Sequence, residues 1–357
     1  MAQVSPHFQL QLGALRSSTD RPVAGPVRFS VVRPMGGAAE SLEIDLVQRQ
    51  GVAPGDAATL ALGFDGATET VFTGSVVEVI PSLQGVRVLA LGRMDALLRH
   101  RSARRWEARS AGSVVRDLAG AVGLATGQVD DGPTLPSYAI DMRLNAAAHL
   151  RRLAARLGFE LFTGRDGKLH FRALGAAASL DSGGLGGLAG AAAGAATALL
   201  GGGGGGGGTG YAAGKHLIAA QAHQRAAGIT QVVVGGEGPA SSHGDQSSWW
   251  LSTGADTNHG SAGSAGAGLL LLDAAARTQD LAGRFAAGSL ATLQRSGHRL
   301  LLRTLGRAAL ELGDDLQVSA AADAAINASG YVCQLQHRLG PDTGFVTDIS
   351  VQAGGAP

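Results

Sequence analysis

Cysteine is nearly missing from this sequence. Cys333 is the only one in 357 residues, which excludes an intramolecular disulfide framework and a cysteine zinc cluster. No excess of either charge is present. The formal net charge is +1, so no global field selects nucleic acid as a partner. Aromatic residues make up 4% of the chain while glycine reaches 56 residues, so aliphatic side chains must supply the core. The first residues, Met-Ala-Gln-Val-Ser-Pro-His, lack the basic and apolar blocks of a secretory signal, and assembly in the cytosol is expected. No Gly-x-Ser-x-Gly, His-Glu-x-x-His or Cys-x-x-Cys pattern occurs, so an enzyme has no recognisable site in the sequence.

What is present is strand and helix periodicity. Phe8 to Leu12, Val27 to Val32, Leu42 to Leu46, Thr59 to Phe64, Val71 to Ile80 and Val86 to Leu91 alternate or run apolar between Gly, Pro and Asp turns. Short strands at such spacing predict a sandwich or barrel over residues 1–101. Gly74 inside a strand suggests a bulge or bend, as at a barrel corner. In residues 102–172, Ser110 or Ser113 starts a helix with the stripe Ala111, Val114, Val115, Leu118 and Val122. A Gly- and Pro-containing loop follows, from Gly127 to Pro136. Asn145 then caps a second helix with the stripe Leu150, Leu153, Ala154 and Leu157, and His149, Arg151, Arg152 and Arg156 fall mostly off it. Gly158 closes that helix, and a hairpin follows through Phe159, Leu161, Gly164, Asp166, Gly167, Leu169 and Phe171.

Residues 173–214 are Ala, Gly and Leu almost throughout, which reads as a flexible insert rather than a membrane span. Its glycines match the dinucleotide pattern only trivially, without a βαβ context, and Gly210 to Lys215 fails as a phosphate loop because the spacing is short and His216 stands where Ser or Thr should. From residue 215 a second barrel is expected, with a long polar loop at 237–267 and a helix capped by Asp273 that runs to about Gln294. The end of the chain repeats the start. Gly313-Asp314 precedes Leu316 to Val318 as Gly55-Asp56 precedes Thr59 to Leu62; Gly330 to His337 parallels Gly74 to Ile80, and Gly344 to Val351 parallels Gly85 to Leu91.

Candidate chemistry is sparse. Asp130 and Asp131 are adjacent in a loop and point apart, so they do not make an acid–base pair. His243, His259, Asp245 and Asp256 lie in a Ser/Gly-rich loop that fixes no ligand geometry. Catalytic, cofactor and metal residues are therefore expected to be absent. The basic cluster that includes Arg101, Arg104 and Arg105, and the pair Trp249 and Trp250, are the candidate partner contacts.

Several of these segments resemble one family. "HLRRLAARLGFELFTGRDGKLHF" is similar to the helix and aromatic hairpin of baseplate hub proteins of contractile phage tails and injection systems, the late control protein D family, related to the hub half of type VI spike proteins. "RSAGSVVRDLAGAVGLATGQVDDGP" resembles the helix and Pro-containing loop before it, and "GYVCQLQHRLGPDTGFVTDISV" the closing hairpin, in which His337 is a family feature of structural character. The Gly/Ala insert and the tryptophan loop depart from the pattern. The resemblance implies a β-dominated α+β fold: two related tube-like β-barrels with a small α/β domain between them. It implies a structural hub without cofactor, a homotrimer that joins a hexameric inner tube to a trimeric spike beside other baseplate proteins, within a phage tail or injection particle. The spike and any cell-wall enzyme are then expected on separate chains. The competing readings are a peptidoglycan-degrading tail component and a membrane-associated adaptor that uses the Gly/Ala segment.

Overall fold

The structure, a computed structural model, describes residues 5–174, 209–226, 228–239, 251–252, 259–295 and 297–353. The strands of the first part are β1 (Pro6–Leu12), β2 (Leu15–Ser18), β3 (Pro26–Pro34), β4 (Ser41–Leu46), β5 (Ala57–Phe64), β6 (Ala67–Ser82) and β7 (Gly85–Gly92). The middle holds α1 (Asp95–Arg99), β8 (Arg104–Ser110), α2 (Ala111–Ala121), β9 (Thr126–Val129), β10 (Thr134–Ile140), α3 (Ala146–Leu157), β11 (Phe159–Thr163) and β12 (Leu169–Ala173). Then come β13 (Thr209–Ala212), β14 (Leu217–Gln224), β15 (Gln231–Gly236), β16 (Gly238–Pro239), β17 (Leu251–Ser252), β18 (His259–Gly263), β19 (Gly268–Asp273) and α4 (Gln279–Arg295). The chain closes with β20 (His298–Leu305), β21 (Asp315–Ser319), β22 (Ser329–Gly340) and β23 (Gly344–Ala353).

The molecule is β-dominated, and strands from both ends of the chain meet in one large sheet. Among the described residues its order is β14-β20-β23-β22-β3-β4-β7-β6-β5-β1-β2, with β21 also on β22 and β13 on β21. Within it the sequence repeat becomes a structural one. The meander β5-β6-β7 has the same antiparallel order as β21-β22-β23, and β3-β4-β7 matches β14-β20-β23. The local bonds match too. Gly55 N–H donates to Val76 O at 2.8 Å and Val76 N–H to Asp56 O at 2.8 Å; Gly313 N–H donates to Val332 O at 2.8 Å and Val332 N–H to Asp314 O at 2.9 Å. Asp56 accepts from Ala53 N–H at 2.9 Å, and Asp314 from Glu311 N–H at 2.8 Å. The next residue, Val77 in β6 and Cys333 in β22, drops out of the ladder as a bulge. The repeats differ at one edge: β1 runs antiparallel to β5, whereas β13 runs parallel to β21. They are joined by β22 and β3, which pair antiparallel from Gln334 opposite Pro34 to Leu339 opposite Phe29.

Of the bulge or bend expected at Gly74, the bulge does not fall on the glycine itself. Gly74 sits in register opposite Ala58 and Gly92, while the bulges of β6 fall on either side, at Val71 and Val77. Glycine is needed there because a Cβ would lie 2.1 Å from Leu91 O.

The α/β part packs as one core shared by Val115, Leu118, Leu150, Leu153, Phe171, Val234 and Phe285. Each such side chain contributes roughly 1.5–3 kcal/mol by leaving water. Its helix ends are set locally. Asn145 Oδ1 accepts from Ala148 N–H at 2.8 Å, Gly158 closes α3 at φ 71°, and Ser110 Oγ accepts from Ser113 N–H at 3.1 Å. Against expectation, Thr278 caps α4, its Oγ1 accepting from Leu281 N–H at 3.2 Å. Asp273 ends β19 and caps only the turn at Ala275. His149 is buried, with its ring nitrogen 2.9 Å from Asp141 O.

Two further differences have one cause, strands masked by polar residues. The Arg-rich segment forms β8, and the Pro-containing loop forms β9 and β10. Trp106 and Tyr138 face each other across β8 and β10 with rings 6.1 Å apart, while the arginines point to solvent. Pro136 and Ala108, at φ 48°, drop out of the ladder together. His259–Gly263, within the polar stretch 237–267, is a strand against β15. Gly260 there lies under α4, where a Cβ would meet Gly283 N at 2.1 Å.

Candidate partner-contact site

The strongest polar geometry sits where the two repeats and the β11–β12 hairpin converge. Arg33 on β3 is 1% exposed, and its guanidinium donates to Glu311 at 2.6 Å. Arg165 from the hairpin pairs with the same carboxylate at 3.0 Å. Burial pushes Glu40 up to about 7, partly offset by the nearby Thr163 and Arg33. His337 is wholly buried, with Nδ1 3.0 Å from Thr347 Oγ1. Burial, together with Arg33, depresses it to about 3, so the ring is neutral. This cluster ties modules together.

The predicted contact residues fare unequally. Arg101 donates to the carbonyls of Met142 at 3.2 Å and Arg143 at 2.7 Å, which pins the strap before β8. Arg105 pairs with Glu107 at 2.7 Å, both exposed. Arg104 is exposed and has no ion-pair partner among the described residues. All three side chains are exposed, Arg101 before β8 and Arg104 and Arg105 on it. Trp249 and Trp250 lie outside the described residues, as do His243, Asp245, Asp256 and residues 175–208 of the Gly/Ala segment. His259 is exposed on β18. Asp130 and Asp131 do different structural jobs. Asp131 accepts from Arg116 at 2.7 Å and from Ser110 at 3.1 Å, which holds its carboxyl below the usual range, while Asp130 accepts from Ala173 N–H at 3.0 Å. Among the described residues no three His, Cys, Asp or Glu side chains converge as metal ligands, and no helix is long and apolar enough to cross a membrane.

Sequence reading missed two open strand edges. Among the described residues, pairing of β6 with β5 stops at Ser75 and residues 78–82 pair only with β7. Among them, β14 pairs with β20 alone. Exposed apolar side chains mark both: Ile80 at 45% and Leu83 at 101% beside the first edge, Ile218 at 56% on the second. Ile80 precedes a tight turn and Leu83 lies in it, which was the one available signal. Such edges present free backbone donors and acceptors to another strand.

Solved structures with a similar fold come from phage tails and a secretion machine. A 43 kDa tail protein of prophage MuSo2 from Shewanella oneidensis aligns over 97% of this chain and 98% of its own, with TM-score 0.66 and 13% identity. A tail protein from Neisseria meningitidis MC58 aligns over 98% and 96%, with TM-score 0.69 and 11% identity. An Escherichia coli component of the type VI secretion system, described as structurally similar to the T4 bacteriophage tail proteins gp27 and gp5, aligns over 97% of this chain and 77% of its own, with TM-score 0.58 and 10% identity. No protein-family model matches the chain, and no curated protein matches its sequence. The chain thus has the fold of phage tail and type VI secretion structural proteins, the group that its sequence motifs resemble.

Proposed function

We propose that this chain is a structural baseplate hub that forms a homotrimeric ring joining a sixfold inner tube to a threefold spike. The observation that carries it is the repeat with its unequal edges. Inside one chain, β22 after its bulge pairs with β3. The same relation maps β22 onto β6 and β3 onto β14, each of which has an open edge among the described residues. Carrying the register across through the shared neighbours sets Glu78 opposite Arg225, Val79 opposite Gln224 and Ile80 opposite His223 of the neighbouring copy. Glu78 and Arg225 are both exposed and without an ion partner among the described residues, and this register gives each the opposite charge. The contact is head-to-tail, and such contacts close into rings when their rotation allows. With two tube-like barrels per chain, three copies present six barrel units around a channel.

In this reading residues 1–101 and 215–357 build the tube-like barrels, 102–172 the intervening α/β domain, and 173–214 an insert. Arg101, Arg104 and Arg105, with Trp249 and Trp250, face other baseplate proteins. The role is architectural and needs no cofactor. Cysteine cross-linking tests it: in a Cys333→Ser background, Ile80→Cys and His223→Cys on the same chain should give intermolecular disulfides that accumulate as a closed trimer when protein is concentrated or assembled. Facing residues of paired strands lie about 4.5–5.5 Å apart, within disulfide reach. Absence of the cross-link in assembled particles, or an open ladder of higher species, would refute the ring.

A further inference from the structure

A cleft of about 310 Å³ lies between α3, α4, β11 and the β3–β22 junction. That volume is at the lower end of the roughly 300–1,000 Å³ typical of ligand sites. Its position follows from the backbone. Met35 N–H donates to the carbonyl of the bulged Cys333 at 3.0 Å, and Gly36 and Gly37 N–H both bond Leu161 O. The end of β3 is thereby held against both the hairpin and the second repeat. Thr292 on α4 donates to Ala155 O at 3.0 Å, which fixes the opposite wall.

Three arginines, Arg151, Arg295 and Arg299, line this cleft against one carboxylate, Glu160. Glu160 is already paired, its Oε1 accepting from Arg295 at 2.6 Å and from Tyr331 Oη at 2.9 Å. Arg295 is spent on that pair and on Gly158 O. Arg151 and Arg299 are exposed and have no carboxylate partner among the described residues. The floor between them is apolar, with Met35, Ala154 and Phe159. We infer that this cleft docks an acidic, apolar-containing peptide segment of a partner protein, its carboxylates meeting Arg151 and Arg299 and its apolar side chain the floor. A free inorganic anion would use the arginines and leave that floor bare. The inference stands apart from the ring, because the cleft lies within one copy and its lining does not include the open edges of β6 and β14.

The single cysteine of the sequence lines the cleft, with its thiol donating to Ser350 O at 3.3 Å, so its alkylation rate reports occupancy. The full-length protein is titrated with a fluorescent peptide alternating Glu and Leu, with its Lys-for-Glu counterpart, and with inorganic phosphate. The acidic peptide should bind in a salt-sensitive way and slow Cys333 alkylation, and the basic one should do neither. Arg151→Glu with Arg299→Glu should weaken binding by more than about tenfold, since attraction becomes repulsion, while Arg151→Lys keeps it. Equal binding of both peptides, indifference to the double charge reversal, or equal protection of Cys333 by phosphate alone would overturn the inference. Failure of ring cross-linking would leave these readings unchanged.

Discussion

Replacing Glu40 by glutamine should turn a flat pH dependence into a rising one. Two buried groups at the module junction titrate abnormally and in opposite senses. Glu40 goes from 4.5 to about 7 on folding, so between those values the folded state holds a proton that the unfolded chain has lost. Its contribution is fully present below 4.5 and is lost as pH rises to about 7, roughly 3 kcal/mol in all. His337 goes from 6.5 to about 3, so there the unfolded chain holds the extra proton and stability rises with pH across that window. Between about 4.5 and 6.5 the two slopes, each about 1.4 kcal/mol per pH unit, cancel. The variant removes the falling slope alone. Relative to wild type, it should gain stability steadily from about pH 4.5 to 7 and end about 3 kcal/mol ahead above neutrality. Urea unfolding followed by circular dichroism across that range measures the difference directly, and groups common to both proteins drop out. Parallel profiles for the two proteins would refute the buried-carboxyl argument.

Three other substitutions probe the sheet, the junction and a helix cap. Gly74→Ala drives a methyl group toward Leu91 O and should cost on the order of 1–3 kcal/mol, read from the urea midpoint. Glu311→Gln leaves the buried Arg33 without its charge partner and should cost about 3 kcal/mol, while the joint change of Arg33 and Glu311 to methionine should recover most of it in the same assay. Asn145→Ala should cost about 1 kcal/mol and raise amide exchange in the first turn of α3.

What could be read from sequence was whatever neighbours settle among themselves. Asn145, Gly158 and the Gly-Asp turn of the hairpin act within a few residues, and the α3–β11–β12 segment lies where its pattern put it. The repeat was legible because Gly55-Asp56 and Gly313-Asp314 do the same local work. Long-range choices were hidden. Nothing near Arg33 announces that it will be buried against Glu311, 278 positions away. The strand β8 was obscured because its outward side chains are arginines and only Trp106 betrays an inner face. The start of α4 was misplaced because Asp273 and Thr278 are both good caps, and only the pairing of β19 through Asp273 decides between them. Nothing in the composition announced that Arg101 also bonds the Arg143 carbonyl, and the open edges of β6 and β14 became visible only from the pairings of the described residues.

The central claim is that open edges of neighbouring copies continue the sheet that β22 and β3 begin within one. Electron cryomicroscopy of the assembled particle tests it most directly. The account predicts three copies of this chain around the channel, its two repeats alternating, with β6 of each copy paired to β14 of the next and Glu78 against Arg225. A ring of six copies, repeats that do not alternate, or β6 and β14 edges left facing solvent would contradict it.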